Sequence, residues 1–327
     1  MVACWRRGGA LLLASACAQV EPVRHAEPAS NAAAELAWLE EPMPVESGPP
    51  STGRNALGPD PPAPPSPTVF VDDPGEGPRR ELRYELGTDR VERFVVTLTA
   101  EASGDTELVP VRLYQVAPFV AHVRVSSRAL RNREGSGAIH TWDVLSVEGG
   151  APRGIPDQLK VGVDEHGKLY RGLQLEHPPH DERATRIMHG TIHCLRALVL
   201  PLPGDAVGQG ASWNGEGAVN DWGLAGQRAT RYRLQSFGVG RADIVASGRT
   251  VAKRPTRSPG RLAEGESYDV SQTTTFTSEA TVQLDSAIAE GRRTEIIVVH
   301  GLKLRTGALV PFDSRFTLEC RVRREQS

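Results

Sequence analysis

From residue 79 to its end the chain is dominated by one-by-one alternation of apolar and polar side chains. In ERFVVTLTAEA (92–102), Phe94, Val96, Leu98 and Ala100 share one side, and Val95, Thr97, Thr99 and Glu101 share the other. A period of two with one apolar side predicts a half-buried antiparallel strand. LRYEL (82–86), AHVRVSS (121–127), IHTWDVLSV (139–147), ATRYRLQSFG (229–238) and RADIVASGRTVA (241–252) read the same way. SQTTTFTSEATVQLD (271–285) alternates longest, with Thr274, Phe276, Ser278, Ala280, Val282 and Leu284 on one face. RTEIIVVHGLKLR (293–305) is in part a continuous apolar run, and RFTLECRVRR (315–324) turns Phe316, Leu318, Cys320 and Val322 inward. Hairpin tips are expected at Glu165-His166-Gly167 and Gly238-Val239-Gly240, where glycine tolerates a positive φ.

One segment breaks the period. HDERATRIMHGTIHCLRALVL (180–200) places Ile187, Thr191, Cys194, Leu195 and Leu198 at helical spacing, with Asp181 as the N-cap and Pro201 and Pro203 as the stop. A single helix of about 180–199 is expected to cover the sheet. Long, mostly consecutive antiparallel strands with one helix predict a mainly β fold: a large curved antiparallel sheet or incomplete barrel. Inward positions use Ala, Ser and Thr as well as Val and Leu, and aromatics are scarce, which leans toward an internal cavity.

Upstream the pattern disappears. Fourteen prolines fall between Pro22 and Pro78, a composition that removes backbone donors and favours extended chain. Residues 17–78 are therefore expected to be a disordered tether before a β-rich domain at 79–327. Within the tether, NAAAELAWLEE (31–41) has the makings of a short helix capped by Asn31, either a transient helix in a disordered arm or a docking peptide for a partner.

Composition adds restraint. The net charge is −2, so no strong field draws the chain to nucleic acid or to an anionic membrane surface. Only Lys160, Lys168, Lys253 and Lys303 are lysines; the remaining cations are arginines, consistent with a GC-rich genome and poor evidence for phosphate binding.

The candidate chemistry is sparse. His177, His180, His189 and His193 cluster beside Cys194, and the four-residue spacing of His189 and His193 puts both on one helix face, a geometry that can hold zinc. HGTIH lacks the glutamate of the metalloprotease motif, so a metal-dependent enzyme is the least favoured reading and no metal or cofactor is assigned. No nucleophile elbow is present; Gly135-Ser136-Gly137 is read as a loop. The glycines of GQGASWNGEG (208–217) precede a strand and carry no lysine, which argues against a phosphate cradle. No catalytic residue is named, and the chain is read as a non-enzyme.

The N-terminus carries the most specific signal. MVACWRRGGALLLASACAQVEP combines Arg6 and Arg7, an apolar run at 9–16 too short to span a bilayer, and small residues before Cys17. Ala14-Ser15-Ala16-Cys17 resembles the lipobox of bacterial lipoproteins, with Ala14 where that family more often has Leu. The resemblance implies removal of residues 1–16 as a signal peptide, lipidation of Cys17, and residence in the cell envelope; Ala18 leans to the outer membrane in a Gram-negative cell. Ordinary secretion after Ala16 fits the same residues. With Cys4 removed and Cys17 acylated, Cys194 and Cys320 remain; in an oxidising compartment they read as a disulfide, the alternative being two buried free thiols.

Pro201, Pro203, Val207, Gly208, Gly210 and Trp213 resemble a loosely defined group of uncharacterised envelope lipoproteins with β-rich tails. The predicted architecture is also similar to the half-barrel of periplasmic lipid carriers. The expected function is a membrane-anchored, non-catalytic domain that binds a hydrophobic ligand or an envelope partner, with a structural or scaffolding lipoprotein as the alternative.

Overall fold

The structure is a computed structural model, described over residues 67–106, 118–132, 135–148, 159–175, 182–221, 224–255, 267–286, 288–305 and 308–326. The fold is mainly β: one large antiparallel sheet, curved but not closed into a barrel, covered by one helix.

Two meanders make up the twelve-stranded sheet. The first runs through β3 (Arg90–Gly104), β4 (Phe119–Asn132), β5 (Gly135–Val147), β6 (Leu159–Asp164) and β7 (Leu169–Leu175). The second runs through β9 (Ser212–Asp221), β10 (Leu224–Gly238), β11 (Arg241–Pro255), β12 (Ser267–Gln283), β13 (Glu290–Arg305) and β14 (Ala308–Arg324). The last strand, β14, pairs antiparallel with β3 and fuses the two, placing Cys320 opposite Leu98 and Val322 opposite Val96. β1 (Thr68–Asp73) adds an edge beside β9, and β2 (Glu76–Arg80) pairs with β8 (Val207–Gln209) in a separate ribbon.

This order dictates where the helix goes. After β7, at one edge, the chain must return to β9, next to the opposite edge. Helix α1 (Glu182–Ala197) and the segment Leu198–Pro203 make that crossing over the inner face, where α1 packs on β3 and β14 at the middle of the sheet. Cys194 and Cys320 are joined in a disulfide there, with their Cα atoms 5.3 Å apart. Gly190 sits where the helix comes nearest: a Cβ on it would lie 2.7 Å from the Phe119 ring and 2.8 Å from Leu98. The glycine that is a poor helix former is thus the one that lets the helix reach the sheet.

Strand alternation holds in detail. Phe94, Val96, Leu98, Ala121, Val123, Val125, Phe316, Leu318 and Val322 are all buried on the inner face. Apart from Ala121, each such side chain contributes about 1.5–3 kcal/mol when fully removed from water. The β6–β7 tip turns at Gly167, φ +75°, under the Leu200 carbonyl.

Several expectations are corrected. Residues 82–86 alternate in burial, with Leu82, Tyr84 and Leu86 inside, but they are a strap and not a strand of the sheet. The strap is tied by two backbone bonds, Tyr84 N–H to Glu165 and Glu85 N–H to Leu284, and by the Tyr84 hydroxyl donating to the Leu200 carbonyl at 3.0 Å. The tether boundary at residue 78 falls too late, since β1 and β2 lie before or across it: Val69 and Val71 pack on the core. Gly135–Gly137 opens β5 instead of forming a loop, and residues 208–217 themselves fall largely in β8 and β9.

Candidate functional site

The inner face has two unlike halves. On β3–β6 it is largely apolar, with His140 on β5 the exception, and α1 covers it at β3. On β10–β13 the inward positions include Arg228, Thr230, Tyr232, Thr250, Gln272, Thr274, Phe276, Ser278, Arg293 and Glu295. Strand register stacks these into rows: Thr230, Gly248, Phe276 and Glu295 are successive cross-strand neighbours, and Tyr232, Ala246, Ser278 and Arg293 form the next row.

At the boundary between the halves lies a charged cluster. Glu295, 2% exposed, accepts from Arg293 Nε at 2.5 Å and faces His193 Nε2 at 2.9 Å. The Arg293 guanidinium lies 3.6 Å from the centroid of the Phe276 ring, and that of Arg228 lies 5.7 Å away. Arg228 also donates from Nε to the Thr250 hydroxyl at 3.0 Å. Burial alone would raise the Glu295 carboxyl, but Arg293 and His193 outweigh it and hold the group far below the ordinary carboxylate range. Burial lowers Arg293, which remains a cation, and raises the Tyr232 phenol. Tyr232 stacks on Trp213 at 5.6 Å, and Trp213 Nε1 donates to the Pro201 carbonyl, fastening the post-helix segment to β9.

The same face holds buried polar atoms with no hydrogen-bond partner. On β5 they are His140 Nε2 and Trp142 Nε1; across the sheet they are Ser278 Oγ and Ser314 Oγ, and on the helix Thr191 Oγ1. His140 is bonded through Nδ1 to the Ser127 hydroxyl at 2.7 Å, and burial pushes its pKa down to about 4, so the ring is neutral at pH 7. Leaving such a group unmet costs about 1–3 kcal/mol, which is why nearly all buried polar groups in folded proteins are paired. Four on this face and one on the helix over it are donors and acceptors left for the polar groups of a ligand.

Of the sequence candidates, Cys194 and Cys320 are brought together in the disulfide. His193 is drawn to Glu295, which no reading of the local sequence paired with it. His189 is half-buried on α1 and lowered by burial. His177, His180, Asp181, Cys17 and the 31–41 segment lie outside the described residues. Among the described residues no three His, Cys, Asp or Glu side chains converge as metal ligands, and no helix is long and apolar enough to cross a membrane. Sequence reading missed Arg293 and Glu295 because 293–305 looked like an apolar run. The signal was present: Arg293, Glu295, Ile297 and Val299 fall in step, so the two charges share the buried face.

No family model matches the chain, nor does any curated protein or any solved structure.

Proposed function

We propose that the protein is a lipid-anchored binding module of the cell envelope whose inner sheet face holds an amphiphilic ligand. The anchor is the acylated Cys17 read from Ala14-Ser15-Ala16-Cys17, and the tether and the signal peptide follow from the same reading. The observation that carries the ligand reading is the set of unpartnered buried polar atoms, Ser278 Oγ on β12, Ser314 Oγ on β14, His140 Nε2 and Trp142 Nε1 on β5 and Thr191 Oγ1 on α1, on or against a face that is otherwise largely apolar along β3–β6. The ligand's polar groups meet these atoms, and its apolar part lies along the buried valines and leucines of β3 and β4. The buried Cys194–Cys320 disulfide supports an oxidising compartment.

Native mass spectrometry of the membrane-extracted protein tests the reading. A co-purifying amphiphile, displaced when Ser278→Val and Ser314→Val remove two hydroxyls, is the expected result. A protein that is ligand-free and takes up no lipid from a total envelope extract overturns it. Intact mass tests the anchor separately: Cys17 carrying acyl chains is expected, and a bare thiol or a retained leader removes it.

A further inference from the structure

The outer face of the sheet carries a constellation that the chain order conceals. Ser271 on β12 is the cross-strand partner of His300 on β13, and His300 is the partner of Asp313 on β14. All three point outward, because Val270, Val299 and Phe312 beside them point in. Directly opposed residues on one sheet face have Cβ atoms about 4.5–5.5 Å apart, so side chains in such a row reach each other. His300 uses Nδ1 to meet Asp313 Oδ1 at 2.5 Å, which leaves Nε2 as the basic nitrogen on the ring's other side. Lys253, opposite Ser271 on β11, extends the row by a cation. The row lines a surface depression of about 520 Å³. Its apolar lip is Leu302 and Pro311, the next outward pair on the same two strands; Leu302 is 39% exposed.

We infer that Ser271, His300 and Asp313 form a hydrolytic site for small esters with an apolar acyl group. The residue types and their order across the three strands are those of a hydroxyl nucleophile, its base and the base's orienter, and such a constellation is recognised by geometry and not by sequence position. His300 Nε2 takes the proton from Ser271 Oγ as that oxygen bonds to the ester carbonyl carbon. The Lys253 ammonium faces the oxygen that gains negative charge. The alcohol leaves with the proton held by His300. A water molecule then repeats the sequence on the acyl-serine, releasing the acid and restoring the hydroxyl. Asp313 is a positioning residue: it fixes the tautomer that keeps Nε2 unprotonated. The side chains of His300 and Asp313 are 60% and 79% exposed, so the site is wet and its turnover is expected to be slow. The inference is independent of the ligand proposed for the inner face, which lies on the opposite side of the sheet.

The full-length oxidised chain is treated with a fluorophosphonate probe, and hydrolysis of p-nitrophenyl butyrate is followed. One phosphonyl adduct mapping to Ser271 is expected, together with turnover that Ser271→Ala reduces to the buffer rate. His300→Gln should lose at least about 100-fold, the low end of what a general base supplies. Asp313→Asn should lower kcat while leaving KM unchanged, a split that a merely structural role would not produce. Outward-facing Ser271→Ala keeps the wild-type melting temperature, so its loss of turnover reports chemistry. No adduct, an adduct elsewhere in the chain, or Ser271→Ala turnover equal to wild type overturns the inference.

Discussion

Removing the charge of Glu295 while keeping its shape is the sharpest test of the inner-face cluster. In Glu295→Gln the amide still fills the space, but Arg293 is left as a buried cation with only Phe276 and polar neighbours around it. Both side chains are almost fully buried, at 7% and 2% exposure, so solvent screening offers little relief. Breaking a buried pair by removing one partner costs about 3–5 kcal/mol. For a domain of this size 1 kcal/mol corresponds to about 2–4 °C in Tm, so the variant should melt about 6–20 °C lower. Arg293→Met leaves the carboxylate with His193 as its remaining ion-pair partner and should cost no more than Glu295→Gln. The double variant Arg293→Met/Glu295→Leu should lose no more than either single change, because replacing both members of a buried pair by apolar groups is often neutral. Thermal melts of the oxidised wild type, Arg293→Met, Glu295→Leu and the double variant complete the cycle, with Glu295→Gln as the isosteric comparison. The pH dependence has a definite sign. Glu295 has a folded pKa below its unfolded value of about 4.3, so its stabilisation is fully present above pH 5 and is lost as the pH falls below that. Glu295→Gln should flatten the acid limb. A Glu295→Gln cost below 1 kcal/mol, or a double variant equal to the sum of the singles, refutes the reasoning.

Three further outcomes follow from single positions. His140 is held at about 4 by burial, so the unfolded chain binds its proton first as the pH drops from about 6.5; stability should fall by up to about 3 kcal/mol between pH 6.5 and 4, and His140→Phe should remove that slope in urea titrations. Gly248→Ala puts a Cβ 2.3 Å from the Phe276 ring and should destabilise by about 1–3 kcal/mol, with Phe276→Leu in the same chain recovering part of the loss in a thermal melt. Cys194→Ser/Cys320→Ser opens a link across a 126-residue separation and should cost about 5 kcal/mol in the chain-entropy model, read as faster hydrogen exchange throughout α1.

Strand positions and face assignments were readable because a period of two survives any tertiary context: Phe94, Val96 and Leu98, or Phe316, Leu318, Cys320 and Val322, are buried as their alternation requires. The helix was readable for the same reason at a different period. What alternation does not encode is pairing. Residues 82–86 alternate because the strap lies against a core with one side facing out, and burial of one side requires no ladder. His193 with Glu295, 102 residues apart, meet through the path of α1 across the sheet, and Ser271, His300 and Asp313 align through register alone. No local motif marks any of these, since each residue is ordinary in its own strand.

The inward Gly, Ser and Thr positions also need a different account from the one composition suggests. Small residues facing inward imply a hollow only if nothing larger leans over them. Gly248 is the seat of the Phe276 ring, and Gly215 lies beneath Tyr232, where an added Cβ would come within 3.3 Å of the ring. These glycines permit rings to lie flat across neighbouring strands, with Arg293 stacked above Phe276 in turn. The scarcity of aromatics is therefore compatible with a filled interior, because Phe276 and Tyr232 each reach over a glycine of the neighbouring strand. The serines resist the same explanation. Ser278, opposite Arg293, and Ser314, opposite Val299, are buried with hydroxyls that meet no partner, while an alanine would fill nearly the same volume without the desolvation cost. On the proposed reading, the Ser278 hydroxyl beside Arg293 and the Ser314 hydroxyl farther along β14 are partners for polar groups of the ligand. If Ser278→Ala and Ser314→Ala each raise Tm while lowering the affinity for the bound amphiphile, stability and binding are opposed at those two atoms; if they raise Tm and leave affinity unchanged, the head of the ligand lies elsewhere.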